Sequence, residues 1–272
     1  MTKRIWIPLA GALALGAMRT GHRQDVRMDA LKKWRYYAHR GLFDAMAGIP
    51  ENSMAAFKAA KEAGYGIELD VQLAKDGIPV ICHDFTLARM CRTSGLVCER
   101  TAAELHQLHL CDTGETIPLL KDVLEEIDGK VPLIVELKIR TGGDIAPLCT
   151  AVVDLLKDYN GLYCIESFDP RAVRWFYKNE PDVIRGQLYE DIYRKEGEWM
   201  YKASANLLFG FLTIPDFIAW HWNHSGILLG PVCRTIWPAM RVCWTIRSEE
   251  ELQKASRIYD VFIFEGFCPV RA

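Results

Sequence analysis

The chain has 272 residues, 50% of them hydrophobic and 25% charged, enough for a core that needs no disulfides or metal staples. Lys and Arg number 33 against 35 Asp and Glu, and a net charge of −2 gives no electrostatic case for a nucleic-acid partner. The cysteines number nine, an odd count with no Cys-x-x-Cys pair, which argues against a zinc knuckle; they read as reduced thiols of a reducing compartment.

Residues 1–35 read as an apolar segment followed by a basic linker. Lys3 and Arg4 precede an apolar run over 5–18, and Arg19, Arg23, Arg27, Lys32, Lys33 and Arg35 follow it. The run falls short of the roughly 20 residues of a spanning helix, and Pro8, Gly11 and Gly16 weaken it further. The excess of positive charge behind it leads to the expectation of a membrane association through residues 5–18, with a cytoplasmic catalytic domain. A secreted or signal-anchored form and a soluble tail are the alternatives.

Beyond Tyr36, short apolar strands alternate with amphipathic helices. A strand over 36–40 comes first. Asn52 or Ser53 is placed to cap a helix that starts at Met54 and stops at Gly64. A second strand, 67–73, carries Glu68 and Asp70 on one face, because alternate residues of a strand point the same way. Lys75-Asp76-Gly77 is a turn, and 78–83 follows too closely for a parallel crossover. It must fold back as a hairpin, bringing His83 roughly opposite Asp70.

Thr101 and Glu104 form a capping box, 118–127 reads as a helix, and 132–138 as the third barrel strand. Strands over 162–168, 183–188, 217–221, 241–246 and 261–265 follow, with helices between them such as 170–178 and 248–258. Eight parallel strands alternating with helices predict a (β/α)8 TIM barrel over 36–272, with a small β-hairpin insertion after the second strand. A doubly wound open sheet is the alternative, but no Gly-x-Gly-x-x-Gly turn follows the first strand. The apolar stretch 207–220 reads as a buried helix entering the sixth strand, or as an exposed patch near a membrane.

Four segments at or beyond strand ends carry the chemistry: His39-Arg40-Gly41, Glu68-Leu69-Asp70, His83-Asp84 and Glu136-Leu137-Lys138. Strand C-termini form the catalytic face of such barrels. Glu68, Asp70 and Glu136 on inward faces would be costly unless paired or bound to metal. They fit either an ion-pair network with Lys138 and Arg40 or an oxygen-ligand site for Mg²⁺ or Ca²⁺. His39 and His83 beside such a cation can share acid and base work near neutral pH. Arg40 and Lys138 supply charge for a phosphate. His22, His106, His109, His221 and His224 have no such setting and take a structural reading.

In order, His39-Arg40-Gly41, Pro50-Glu51-Asn52-Ser53, Ala56-Phe57, the block Gly66 to Val71, Lys75-Asp76-Gly77 and His83-Asp84 resemble the N-terminal signature of glycerophosphodiester phosphodiesterases. Ile117-Pro118, Val135-Glu136-Leu137-Lys138, Ser167-Phe168 and Trp244-Thr245-Ile246 resemble that family's later blocks. The resemblance implies a barrel with an insertion after the second strand and one divalent cation held by Glu68, Asp70 and Glu136. It also implies His39 and His83 as the acid–base pair, and Arg40 and Lys138 as phosphate-binding residues. Trp244 as a pocket-lining residue rests on the resemblance alone.

Position 247 is Arg where the family often has Asn, and the segment from His83 to about Thr116 is short for a cap. The implied activity is hydrolysis of a small or lipid-derived phosphodiester to glycerol 3-phosphate and an alcohol. A lysophospholipase D-type activity on lysophospholipids and a non-catalytic membrane-tethered phosphate binder are the alternatives. Which histidine is the acid, and whether a cyclic phosphate forms first, stay open.

Overall fold

The structure, a computed structural model, describes residues 25–189, 213–222 and 240–270. In it, β1 (Tyr36–His39) pairs with β2 (Gly66–Leu73) on one side and β9 (Val261–Phe264) on the other, which closes the sheet. Between them run β4 (Leu133–Leu137), β5 (Tyr163–Ser167), β6 (Arg185–Tyr189), β7 (Phe217–His221) and β8 (Met240–Ile246), each parallel to its neighbours. The eight parallel strands make the predicted barrel. A ninth, β3 (Pro79–Ile81), lies antiparallel on the end of β2.

The sequence makes the outer layer by helical periodicity. In α2 (Met54–Glu62) the buried residues are Ala56, Phe57 and Ala60. In α5 (Leu120–Ile127), after the short helices α3 (Ala88–Cys91) and α4 (Ala102–Leu105), they are Leu120, Val123, Leu124 and Ile127. Both sets fall on one face at 3.6-residue spacing. They pack against outward strand residues such as Ile67, Leu69, Leu133 and Val135. Ser53 caps α2: its hydroxyl accepts from Ala56 N at 3.1 Å and donates to the Pro50 carbonyl at 2.7 Å. Gly64, the predicted stop, takes a left-handed φ of 74° just past the helix.

Inside the barrel the alternation sorts residues by height. The lower layer is apolar: Tyr37, Ile134, Cys164, Phe217, Val242 and Ile263 form one cluster. Two glycines make room for it. A Cβ on Gly66 would sit 2.5 Å from the Tyr37 ring, and one on Gly186 would sit 2.1 Å from the Phe217 ring. Higher on β1, β2, β4 and β5 the inward positions turn polar, with His39, Glu68, Asp70, Glu136, Glu166 and, just past β9, Glu265, while β6, β7 and β8 stay apolar with Leu188, Ala219 and Trp244.

The floor is closed by α1 (Val26–Trp34), within the segment the sequence reading gives to a linker. Met28 and Leu31 are buried against the lower layer, and Tyr37 donates its hydroxyl to the Leu31 carbonyl at 2.9 Å. The helix ends where β1 begins, so it covers the barrel end opposite the strand C-termini.

Beyond β2, residues 74–119 build more than a hairpin. β3, α3, a 3₁₀ turn (Val97–Glu99) and α4 enclose a small core of their own, including Val80, Leu87, Met90, Val97, Leu105 and Ile117. The Thr101–Glu104 capping box forms as read from sequence. The register pairs Val71 with Ile81, so Cys82 faces Asp70 and His83 falls one residue beyond the expected position.

The apolar run 5–18 and residues 207–212 of the stretch 207–220 lie outside the described residues, as does Cys233. Among the described residues, no helix is long and apolar enough to cross a membrane, and the eight cysteines form no disulfide.

Candidate active site

The carboxylates of Glu68, Asp70 and Glu136 meet at the barrel mouth. Asp70 and Glu136 are register partners on neighbouring strands, and Glu68 is two residues before Asp70. One oxygen from each lies within 4.8 Å of the others. All three residues are buried, and Glu68 Oε1, Asp70 Oδ1 and Glu136 Oε1 accept no hydrogen bond of normal geometry.

Three carboxylates so close cannot all ionise without compensating charge. Burial, with the charges of Asp70, Glu136 and Glu166, pushes Glu68 well above the usual range. Burial also lifts Glu136 to about 7 despite Lys138. Asp70 goes the other way: burial opposes ionisation, but Lys138, His83 and Arg40 hold its carboxyl far below the usual range. Three converging buried carboxylates, an all-oxygen set, fit a hard divalent cation. The residues present can hold one.

Two cations already serve this cluster. Lys138 Nζ lies 3.0 Å from Asp70 Oδ1 and 2.7 Å from Glu136 Oε1. Arg40 Nε lies 3.4 Å from Asp70 Oδ2, and the Arg40 backbone N–H donates to Glu68 Oε2 at 3.0 Å. A left-handed φ of 56° at Arg40 turns that N–H inward. Asn52, also left-handed at 54°, donates Nδ2 to Asp70 Oδ2 at 2.7 Å. The sequence reading gives Asn52 only a possible capping role; Ser53 takes the cap and Asn52 fixes the carboxylate.

Both histidines stand at this rim, each held at Nδ1 by a carboxylate. His39 Nδ1 is 2.5 Å from Glu265 Oε2, and its Nε2 is 3.8 Å from Glu68 Oε2. His83 Nδ1 is 2.7 Å from Asp84 Oδ1. A carboxylate accepts at Nδ1, so the neutral ring carries its proton there and leaves Nε2 as a base. Burial lowers the pKa of both rings, against the pull of Glu265 on His39 and of Asp70 and Asp84 on His83.

The clamps are clamped in turn. Arg247 donates Nε to Glu265 Oε1 at 2.7 Å, and Arg89 donates Nε to Asp84 Oδ2 at 2.5 Å. Arg89 also forks onto Glu51 at 2.7 and 3.0 Å, and Glu51 accepts from Arg40 at 2.6 Å. Glu265 and Asp84 are each held at about 2, burial being outweighed by these partners.

One wall is aromatic. Phe168 lies 5.9 Å from Lys138 Nζ, Trp244 meets Phe168 edge-on at 5.6 Å, and His221 meets Trp244 at 5.3 Å. Trp244 thus stands at the rim beside the site, along with His221, whose reading from sequence was structural. His106 bonds to the Ile117 carbonyl inside the insertion, away from the site.

Sequence reasoning misses Glu265, Glu51, Arg89 and Glu166. Glu265 stands at a strand end, which is a usable signal, but nothing local ties it to His39. Glu166 is the register partner of Glu136, is 1% exposed, and has an Oε2 without a hydrogen bond. A lone Glu among the apolar residues of β5 was the available cue.

The model of the glycerophosphoryl diester phosphodiesterase family matches residues 39–223. A glycerophosphodiester phosphodiesterase of Caldanaerobacter subterraneus subsp. tengcongensis is 31% identical over 229 residues, 80% of this chain and 87% of that enzyme. An Oleispira antarctica phosphodiesterase, solved in complex with its product sn-glycerol-3-phosphate, superposes with a TM-score of 0.70 at 26% identity, covering 85% of this chain and 92% of that one. The glycerophosphodiester phosphodiesterase of Thermotoga maritima superposes at 0.65 with 25% identity, covering 84% and 93%.

Proposed function

The chain belongs to the glycerophosphoryl diester phosphodiesterase family of phosphoric diester hydrolases, and from that premise we propose that it hydrolyses glycerophosphodiesters to glycerol 3-phosphate and an alcohol with a divalent cation. The observation that carries this reading is the trio of buried, facing carboxylates beside two histidines whose Nδ1 atoms are already held.

Glu68, Asp70 and Glu136 are the ligands, and the all-oxygen set favours Mg²⁺ or Ca²⁺. When bound, the cation supplies Lewis-acid stabilisation of charge developing on the phosphate. The chain's own groups do the rest. Arg40 and Lys138 neutralise the phosphate oxygens, and Lys138 is kept charged because Asp70 and Glu136 outweigh its burial. A water oxygen bonds to phosphorus as the phosphorus–alkoxide bond breaks. One histidine takes the water's proton at Nε2, and the other, protonated there, gives its proton to the alkoxide. Glu265 and Asp84 hold each ring in orientation and favour its charged form during the transfer. Phe168 and Trp244 face the carbon skeleton of the substrate.

The test is release of glycerol 3-phosphate from glycerophosphocholine by the full chain with Mg²⁺ or Ca²⁺, beside His39→Ala and Glu68→Ala. Release by the wild type, lost in both variants, is the expected outcome. Release that survives in both would remove the site; none from the wild type with either ion would remove the substrate class.

A further inference from the structure

A second cavity, of about 460 Å³, adjoins the carboxylate site on the insertion side. Its walls come from two places: the end of β2 with the insertion (Gln72, Lys75, Phe85, Cys98), and the loop between β4 and α6 (Ala146–Leu156), including Arg140. Lys138 belongs to both spaces: it lines this cavity, and its Nζ pairs with Asp70 and Glu136. Gln72 ties the cavity to the histidine side, donating Nε2 to the carbonyls of Cys82 and Asp84 at 2.7 and 2.8 Å. A phosphodiester held at Lys138 therefore has this space beside it.

The lining holds three cationic side chains, Lys75, Lys138 and Arg140, against one carboxylate, Asp144. Among the described residues neither Lys75 nor Arg140 has a carboxylate within ion-pair distance, in a chain whose net charge is −2. A tight turn, with Gly143 N donating to the Arg140 carbonyl at 2.8 Å, presents the arginine. Its NH1 donates to Cys98 Sγ at 3.4 Å, so the guanidinium reaches across to the insertion. The carboxylate of the lining, Asp144, accepts from Ala146 N at 3.1 Å and forms no ion pair with Lys75 or Arg140.

We propose that this cavity is the subsite for the leaving alcohol, and that Arg140 and Lys75 select alcohols bearing an anionic group, a carboxylate or a second phosphate. The inference rests on the phosphodiesterase reading of the adjoining site. A guanidinium facing a carboxylate is worth a charge-assisted hydrogen bond, and near a wet surface it yields roughly a fivefold preference.

Glycerophosphoserine and glycerophosphoethanolamine differ by one carboxylate on the leaving alcohol and form a matched pair of probes. The full chain is assayed for kcat/KM on both, and equilibrium binding of both is measured by calorimetry. The wild type is expected to favour the serine diester roughly fivefold in both measurements. Arg140→Gln brings the ratio close to one, and Arg140→Glu takes it below one, an inversion that simple loss of structure does not produce. Lys75→Gln, at an exposed position, lowers the ratio by a smaller factor.

A wild-type ratio at or below one, or a ratio unmoved by Arg140→Glu, overturns the subsite even if both diesters are cleaved. Selective binding of the serine diester with no turnover of either sustains the subsite and overturns the phosphodiesterase reading. Neither binding nor turnover overturns both.

Discussion

His39 and His83 reach the same rim from opposite kinds of structure. His39 ends a barrel strand, its side chain 12% exposed, and is clamped by Glu265, 226 residues away. His83 stands just past a short strand outside the barrel, 33% exposed, and is clamped by the next residue, Asp84. The first is fixed by barrel closure, since Glu265 meets His39 only when β9 pairs with β1. The second is fixed by an insertion with its own small core. One rim thus combines a histidine set by barrel closure and one set by the insertion.

The largest effect expected is loss of either ring. His39→Ala and His83→Ala should each lower kcat/KM on glycerophosphocholine by roughly 10²–10⁴-fold, the range for a positioned acid or base. A His83→Ala variant within threefold of wild type would reduce the pair to one histidine.

Next comes the difference between clamps. Glu265→Gln should cost about 10–100-fold in kcat, as loss of an orienting carboxylate does. Asp84→Asn should cost less, because backbone contacts of the insertion still hold His83 near the site. Steady-state kinetics decide it, and the reverse order would mean that the exposed histidine depends more on its partner.

A smaller effect is expected one contact further out. Arg89 is 47% exposed, so screening trims its ion pairs, and Arg89→Ala should cost about 1 kcal/mol, roughly fivefold in activity. Arg247→Asn, at 54% exposure with one side-chain partner, should cost about half that free energy.

Last comes the effect of these clamps on stability, which is fully present near neutrality and fades in acid. Glu265 and Asp84 are both depressed to about 2 in the folded chain. Their contribution is therefore full above the ordinary carboxylate pKa and is lost as pH falls from about 4.5 towards 2. Thermal melts between pH 7 and pH 3 should fall less steeply for the Glu265→Gln, Asp84→Asn double variant than for wild type. Parallel curves would show that neither clamp contributes to the fold.

The comparison also marks what the sequence could disclose. Asp84 is next to His83, and Glu68 and Asp70 are two apart, so strand alternation alone puts them where they are found. Glu265, by contrast, becomes His39's partner only through closure of the sheet, which no local pattern encodes. The barrel was legible because its outer helices keep their apolar spacing and its strands stay short and apolar. Helix α1 was not: Lys32, Lys33 and Arg35 make 26–34 look like a linker, while only Met28 and Leu31 are buried in the barrel floor. Arg247 was noted as a departure from the resembling family, and its tie to Glu265 required the fold.

Glu68, Asp70 and Glu136 act as a cation site and not merely as an ion-pair network with Lys138 and Arg40 only if the chain binds a divalent ion there. Calorimetric titration of Ca²⁺ and Mg²⁺ into the chelated full chain, compared with Asp70→Asn and Glu136→Gln, tests this most directly. One divalent cation per chain is expected, with affinity reduced at least tenfold in both variants. No binding by the wild type, or binding that neither substitution weakens, would contradict it.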